Sequence, residues 1–154
     1  MKPATESAAT TRRKATAEES AFLDIARTAD LLSRSFTQLL KAEDLSPAQY
    51  NVLRILRGAQ DGLTCGEIGN RMVTRDPDIT RLLDRLEKRN LIARARDEKD
   101  RRVVLTKIEP AGLELLFRLD QPIRDTHRRQ LGHLGAQRLQ ELSELLEACR
   151  NRIE

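Results

Sequence analysis

Three helix-start signals crowd into the stretch from Ser46 to Asp76, and they constrain the fold more than any other feature of the chain. Ser46-Pro47-Ala48-Gln49 pairs a capping hydroxyl with a glutamine three residues on and puts proline at the first helical position. Thr64-Cys65-Gly66-Glu67 is a second capping box, and Asp76-Pro77 sets an acidic cap before another proline. Gly58 and Asp61-Gly62 break the chain between the first two. The segments so opened are short: one carries Tyr50, Leu53, Ile55 and Leu56, the next runs through Ile68 to about Met72, and the third carries Ile79, Leu82, Leu83 and Leu86 as far as Lys88-Arg89-Asn90. Helices of this length are marginal alone in water, so the three must bury their apolar sides against one another.

After Asn90 the period changes. Leu91–Arg96 and Val103–Ile108 read as two short strands, joined by Asp97-Glu98-Lys99-Asp100-Arg101-Arg102, which is charged at every position. A charged link between two β-prone segments predicts a hairpin with its tip in solvent. Longer helices flank this centre. One is expected from Ser20 to near Glu43, with Phe22, Ile25, Leu32, Phe36, Leu39 and Leu40 at spacings of three and four. Another starts at Glu109-Pro110 with Leu113, Leu116, Phe117 and Ile123 on one side, and Pro122 is expected to kink or interrupt it. The last begins near Gly135-Ala136 and carries Leu139, Leu142, Leu145, Leu146, Cys149 and Ile153. Residues 1–19, rich in Ala, Thr and Ser with a small basic cluster at Arg12-Arg13-Lys14, read as a flexible tail.

Composition excludes several classes. At 154 residues, 39% apolar and 34% charged, the chain is one domain with a modest core, and with aromatics at 3% that core must be aliphatic. No apolar run is long enough to span a membrane, and no hydrophobic leader opens the chain, so a cytoplasmic protein is expected. Cys65 and Cys149 are too few for a disulfide framework and lack metal-site spacing; neither a metal nor another cofactor is expected. His127 and His133 do not share a helical face, and there is no Gly-rich phosphate loop or nucleophile elbow, so no catalytic role is expected.

Two short capped helices, an amphipathic helix and a hairpin make a mainly α chain with the layout of a winged helix-turn-helix, whose second helix lies in the DNA major groove. On that helix Arg81 and Arg85 share a face, with Leu82, Leu83 and Leu86 on the opposite one. The charge supports a polyanionic partner: from Arg71 to Arg102 there are eleven basic and seven acidic residues, so the net +4 of the whole chain sits in this stretch. A salt-bridged helix with a soluble turn, serving a helical protein-interaction module that does not bind DNA, is the alternative reading of the same charges.

Residues 46–112 resemble the DNA-binding core of the MarR family of bacterial transcription regulators. Ser46-Pro47-Ala48-Gln49-Tyr50-Asn51-Val52-Leu53 resembles that family's helix opening, L-[ST]-x-x-Q-[WYF]-x-[VL]-L. Thr80-Arg81-Leu82-Leu83-Asp84-Arg85-Leu86-Glu87-Lys88-Arg89-Asn90-Leu91-Ile92 resembles T-R-L-[LV]-D-R-L-E-[KR]-x-G-L-[IV], and the segment ending in Asp100-Arg101-Arg102 resembles the wing D-x-x-D-R-R. Asn90 replaces the usual Gly, and Ile108-Glu109 the usual Leu-Thr. The resemblance implies a homodimeric repressor. Residues 20–44 and 110–154 would form the helical dimerisation region, and residues 45–109 the DNA-binding domain. It places Arg75, Pro77, Asp78, Ile79, Thr80, Arg81 and Arg85 at the major groove, and Arg101 and Arg102 at the minor groove with Asp97 and Asp100 supporting them. It also makes Thr64 and Arg71 phosphate contacts. The implied partner is double-stranded DNA carrying a pseudo-palindromic operator. A small aromatic or phenolic effector is implied too, for which Phe36, Tyr50 and Phe117 are the candidate lining. Cys65, in the first turn of a helix, leaves open a thiol-based redox response.

Overall fold

The computed structural model describes residues 14–153, and the first thirteen residues of the expected tail, Arg12 and Arg13 among them, lie outside it. The first helix, α1 (Ala17–Lys41), starts three residues before the expected Ser20 because Thr16 and Glu19 form a capping box. The Thr16 hydroxyl accepts from the Glu19 amide at 3.2 Å, and the Glu19 carboxylate accepts from the Thr16 amide at 2.8 Å. This satisfies two otherwise orphaned donors inside a segment whose composition reads as tail. Asp44, at φ 52°, turns the chain into α2 (Pro47–Arg57), which opens with the expected Ser46/Gln49 box. The Thr64/Glu67 box opens α3 (Cys65–Arg71).

The next helix, α4 (Ile79–Lys88), begins later than expected. Its cap is Asp78, whose side chain accepts from the Arg81 amide at 3.3 Å, while the Asp76 carboxylate accepts from the Asp78 amide at 2.9 Å. Asp76 therefore shapes the turn, and Pro77 lies in that turn rather than at the first helical position. Asn90 takes the left-handed conformation (φ 57°) that asparagine tolerates, and the chain enters β1 (Ile92–Arg96). Its partner is β2 (Val104–Ile108), antiparallel, with Ile92 opposite Ile108 and Arg96 opposite Val104. Leu63 bridges Thr106 through two backbone bonds of 3.0 and 2.7 Å, which fastens the α2–α3 connection to the hairpin.

From Pro110 the chain runs in α5 (Pro110–Leu131), a short 3-10 turn at Gly132–Leu134, and α6 (Gly135–Ile153). Pro122 does not interrupt α5. An interior proline costs about 3 kcal/mol, but Leu115, Leu116 and Leu119 before it and Ile123 and Thr126 after it are all buried on one face. The Thr126 hydroxyl also donates to the Pro122 carbonyl at 2.9 Å. The expected single stripe of α5 is split: Leu116 and Ile123 are buried, while Leu113 and Phe117 point to solvent.

All sixteen buried hydrophobic side chains among the described residues are Leu, Ile or Val, drawn from the end of α1, α2, α3, α4, the hairpin base, α5 and the connections at Leu45 and Leu63. The flanks differ. Phe22, Leu23, Ile25 and Leu31 of α1 are exposed, as are Leu142, Leu145 and Ile153 of α6, which buries no residue at all. No helix among the described residues is long and apolar enough to cross a membrane.

Gly112 is the tightest joint between α5 and the hairpin. A Cβ there would collide with the Leu91 carbonyl oxygen and lie 2.8 Å from Ile108 Cγ1. That carbonyl already accepts from the Glu109 amide at 3.0 Å and is not free to move. Alanine gains about 1 kcal/mol in helix propensity, and overpacking against fixed backbone costs about 1–3 kcal/mol. Gly112→Ala is expected to destabilise the fold by about 1–2 kcal/mol on balance, measured by urea denaturation; an unchanged or raised midpoint contradicts this packing.

Candidate nucleic-acid interface

The amphipathicity of α4 sorts its side chains. Leu82, Leu83 and Leu86 are buried, and Thr80, Arg81 and Arg85 are exposed on the other side, with Arg75, Pro77 and Asp78 exposed in the approach to the helix. Arg81 makes only a loose pair with Asp78, 3.9 Å apart, which leaves its guanidinium available. Ile79 is half-buried and packs toward Gly69 and the core, so it fixes the helix start more than it faces outward. The approach is tied down by Asn51 on α2, whose buried Oδ1 accepts from the Val73 amide at 2.8 Å.

The hairpin tip is shaped by its own acids. Asp97 accepts from the Asp100 amide (3.4 Å) and donates its amide to the Val103 carbonyl (2.9 Å). Asp100 accepts from both the amide (3.0 Å) and Nε (3.3 Å) of Arg102, whose side chain is 93% exposed. Arg96 donates to the Arg101 carbonyl at 3.2 Å. Asp97 thus holds the turn while Asp100 aims Arg102 into solvent.

Two further arginines of the basic stretch are engaged within the chain, which their spacing does not reveal. Arg94 of β1 donates through Nε to Glu87 at 3.0 Å and through Nη2 to Glu87 and Asp84, while the other Glu87 oxygen accepts the Arg94 amide at 3.1 Å. The hydrogen bonds that Arg94 donates hold the Glu87 carboxyl below its ordinary value, and the same bonds raise Arg94. This clamp joins the wing's first strand to α4. It also engages two acids and one cation of the basic stretch, with Asp84 and Glu87 still partly exposed. Arg89 donates to the carbonyls of Glu43 and Asp44 and fastens the end of α4 to the α1–α2 turn.

Other predicted residues fall elsewhere. The Thr64 hydroxyl is committed to Glu67, accepting its amide at 3.3 Å and donating to its carboxylate at 2.8 Å, whereas Arg71 is exposed at the end of α3. Phe36 and Tyr50 meet edge-to-face at 5.4 Å, and Phe36 stacks on His127 at 6.0 Å. With Arg54, Val73 and Thr74 they line a cavity of about 360 Å³ between α1, α2, α5 and the approach to α4. Burial pushes the Tyr50 hydroxyl pKa up. Phe117 is not part of this cavity: it is 80% exposed and lines a separate depression with Arg57, Leu113 and Asp120. The missed lining residues, Arg54 and His127, had a partial signal in the Tyr50–Arg54 spacing of one helical turn. Cys65 is half-buried against the core and Cys149 is exposed on α6. Among the described residues no cluster of three His, Cys, Asp or Glu side chains could hold a metal.

Comparison with known proteins bears on this arrangement. The model of the MarR family matches residues 45–104. A crystal structure of a MarR transcription factor from Planctomyces limnophilus is 41% identical, with a TM-score of 0.67, and the match covers 88% of this chain and 99% of that one. A mutant MarR from Escherichia coli, complexed with operator DNA, is 26% identical with a TM-score of 0.73, over 81% of this chain and 89% of that one. The transcriptional repressor IacR of Pseudomonas putida is 26% identical over 137 residues, 89% of this chain and 81% of its own.

The Arg94 clamp carries a pH signature. Because the folded-state pKa of Glu87 is lowered, its contribution is complete above the ordinary carboxyl range and is lost as pH falls through the lowered value. Arg94→Ala is expected to cost about 1–2 kcal/mol at neutral pH, allowing for the partial exposure of Glu87. The gap to the parent should close in acid. Denaturant titrations at several pH values measure it, and a gap that persists unchanged at low pH contradicts the assignment.

Proposed function

Because the chain belongs to the MarR family of transcription regulators, we propose that it works as a homodimeric repressor that reads duplex DNA with α4 and the wing and is released by a small aromatic or phenolic molecule. It is a DNA-binding transcription regulator, not an enzyme. The observation that carries the reading is the outward face of α4, where Thr80, Arg81 and Arg85 stand free of the leucines behind them, together with Arg102 held out on the hairpin tip. Thr80 and Arg81, with Arg75, address base edges in the major groove. Pro77, Asp78 and Ile79 set the entry of the helix. Arg102, and Arg101 beside it, enter the minor groove, where narrow segments attract arginine. Arg71 takes a phosphate, and Thr64 contributes by fixing the start of α3. Residues 45–109 form the reading unit of a cytoplasmic protein.

The exposed apolar side chains of α1, α5 and α6 support dimerisation by residues 20–44 and 110–154, since a monomer rarely leaves such faces in water. A two-fold dimer matches a pseudo-palindromic operator with half-sites about 10 base pairs apart. The cavity at Phe36, Tyr50 and His127 has the size and ring surfaces for one aromatic molecule, with Arg54 to meet a carboxylate or phenolate. Its occupant releases DNA only if it binds the DNA-competent arrangement less tightly than the other.

Duplex DNA from upstream of the chain's own coding sequence is expected to bind in a fluorescence-anisotropy titration, with Arg102→Ala weakening binding by about 1–3 kcal/mol. Equal affinity of the variant removes the wing from the reading. Leu145→Glu on the exposed stripe of α6 is expected to shift sedimentation equilibrium from dimer toward monomer, and an unchanged dimer places the interface elsewhere.

A further inference from the structure

The end of α4 and the α1–α2 turn enclose a second concavity, away from the aromatic cavity. It measures about 490 Å³ and is lined by Lys41, Asp44, Ser46, Arg85, Lys88 and Arg89, among others. Four of these are cations from two elements, against the single acid Asp44. Arg89 is fixed by the two carbonyls of Glu43 and Asp44, so the cleft is preformed. Elsewhere several arginines sit against acids, as with Arg34–Asp30, Arg57–Asp120 and Arg118–Glu43. Lys41, Arg85 and Lys88 are exposed and converge on one hollow instead. Unneutralised cations in a concavity raise the local potential and select an anion.

Geometry names that anion. Arg85 lies one turn, about 6 Å, beyond Arg81 on the same face of α4. The ten residues of α4 span about 15 Å, more than the roughly 12 Å width of the major groove. When the first turn of α4 faces base edges, its last turn and the hollow beside it therefore reach the groove's phosphate wall. We propose that this cleft seats a backbone phosphate of the bound duplex, with Lys41 and Lys88 as phosphate contacts alongside Arg85. The contact carries no sequence information. It sets how far along the groove α4 rides, and it ties the end of α1, a helix of the proposed dimer region, directly to the DNA.

The proposal rests on the DNA-reading function above, and its test separates the two. Because phosphate contacts are sequence-independent, a short duplex of arbitrary sequence serves. Binding is titrated from about 50 to about 200 mM salt for the parent, Lys41→Ala, Lys88→Ala and the double variant. Arg138→Ala on α6 is the charge-matched control. Each lysine variant should flatten the slope of log affinity against log salt by about 1, and the double by about 2, with the control unchanged. A parent that binds no duplex at low salt refutes the DNA reading and this cleft with it. A parent that binds normally while the lysine variants keep its slope refutes the cleft alone. A lower melting temperature at unchanged slope means that the lysines serve only the ends of their own helices. A rise in the parent's melting temperature with added inorganic phosphate, lost in the double variant at unchanged slope, assigns the cleft to a free anion. Either of the last two results overturns the proposal.

Discussion

Every functional feature of this subunit depends on one constraint: α2, α3 and α4, of eleven, seven and ten residues, exist only through a shared aliphatic core. Leu53, Leu56, Ile68, Leu83 and Leu86, all 1% exposed or less, meet where the three helices cross. That burial sets which side of α4 is left outward and so decides that Thr80, Arg81 and Arg85 face solvent. Capping boxes fix where α2 and α3 begin, and Asp78 fixes the start of α4. Caps worth about 1 kcal/mol each would not hold such helices without the core. They choose the register in which the core assembles.

The hairpin is attached to this core at three points of different chemistry. Ile92 is buried in the core, Leu63 and Thr106 exchange backbone bonds, and Arg94 grips Glu87 and Asp84 on α4. The last attachment is electrostatic and lies next to the outward face. The arginine that orients the wing relative to α4 also offsets part of the negative charge of two carboxylates beside that face. One side chain thus acts on geometry and on surface potential together.

Features written in short sequence intervals were legible. The Ser46/Gln49 and Thr64/Glu67 boxes, the strands to within a residue, and the left-handed Asn90 are each fixed by neighbours a few residues away. Thr16 and Glu19 carry the same box, yet they sit in a run of Ala, Thr and Ser whose composition outweighed it. Asp76 and Asp78 flank one proline, and either could cap. The choice fell to Asp78 because Asp76 is engaged with the Asp78 amide. What was not legible is non-local. A charge count cannot see that Arg94 and Arg89 are spoken for, nor that Lys41 stands beside Arg85. The resemblance grouped Phe117 with Phe36 and Tyr50 as an effector lining, but α5 has two apolar faces. Phe117 lies on the one that the subunit leaves bare, while His127, ten residues on, takes the place beside Phe36.

The two hollows around α4 have opposite characters, and their positions explain why that matters. The aromatic cavity touches the approach to α4 at Val73 and Thr74, where Asn51 supplies the tether. The basic cleft touches the other end, where Arg89 is bound to the α1–α2 turn. Both cavities include residues of α1, which carries exposed apolar surface away from this unit. A displacement of α1 relative to α2 would therefore bear on the approach to α4 through the cavity that Phe36 shares with Val73 and Thr74, and on its end through the Glu43 and Asp44 carbonyls. Since α4 is a short helix with a rigid leucine back, such a displacement would tilt it as a body rather than bend it. On the proposed function and the proposed cleft, an occupant of the aromatic cavity and a phosphate in the basic cleft would act through the same rigid element. That is the physical requirement for one to weaken the other.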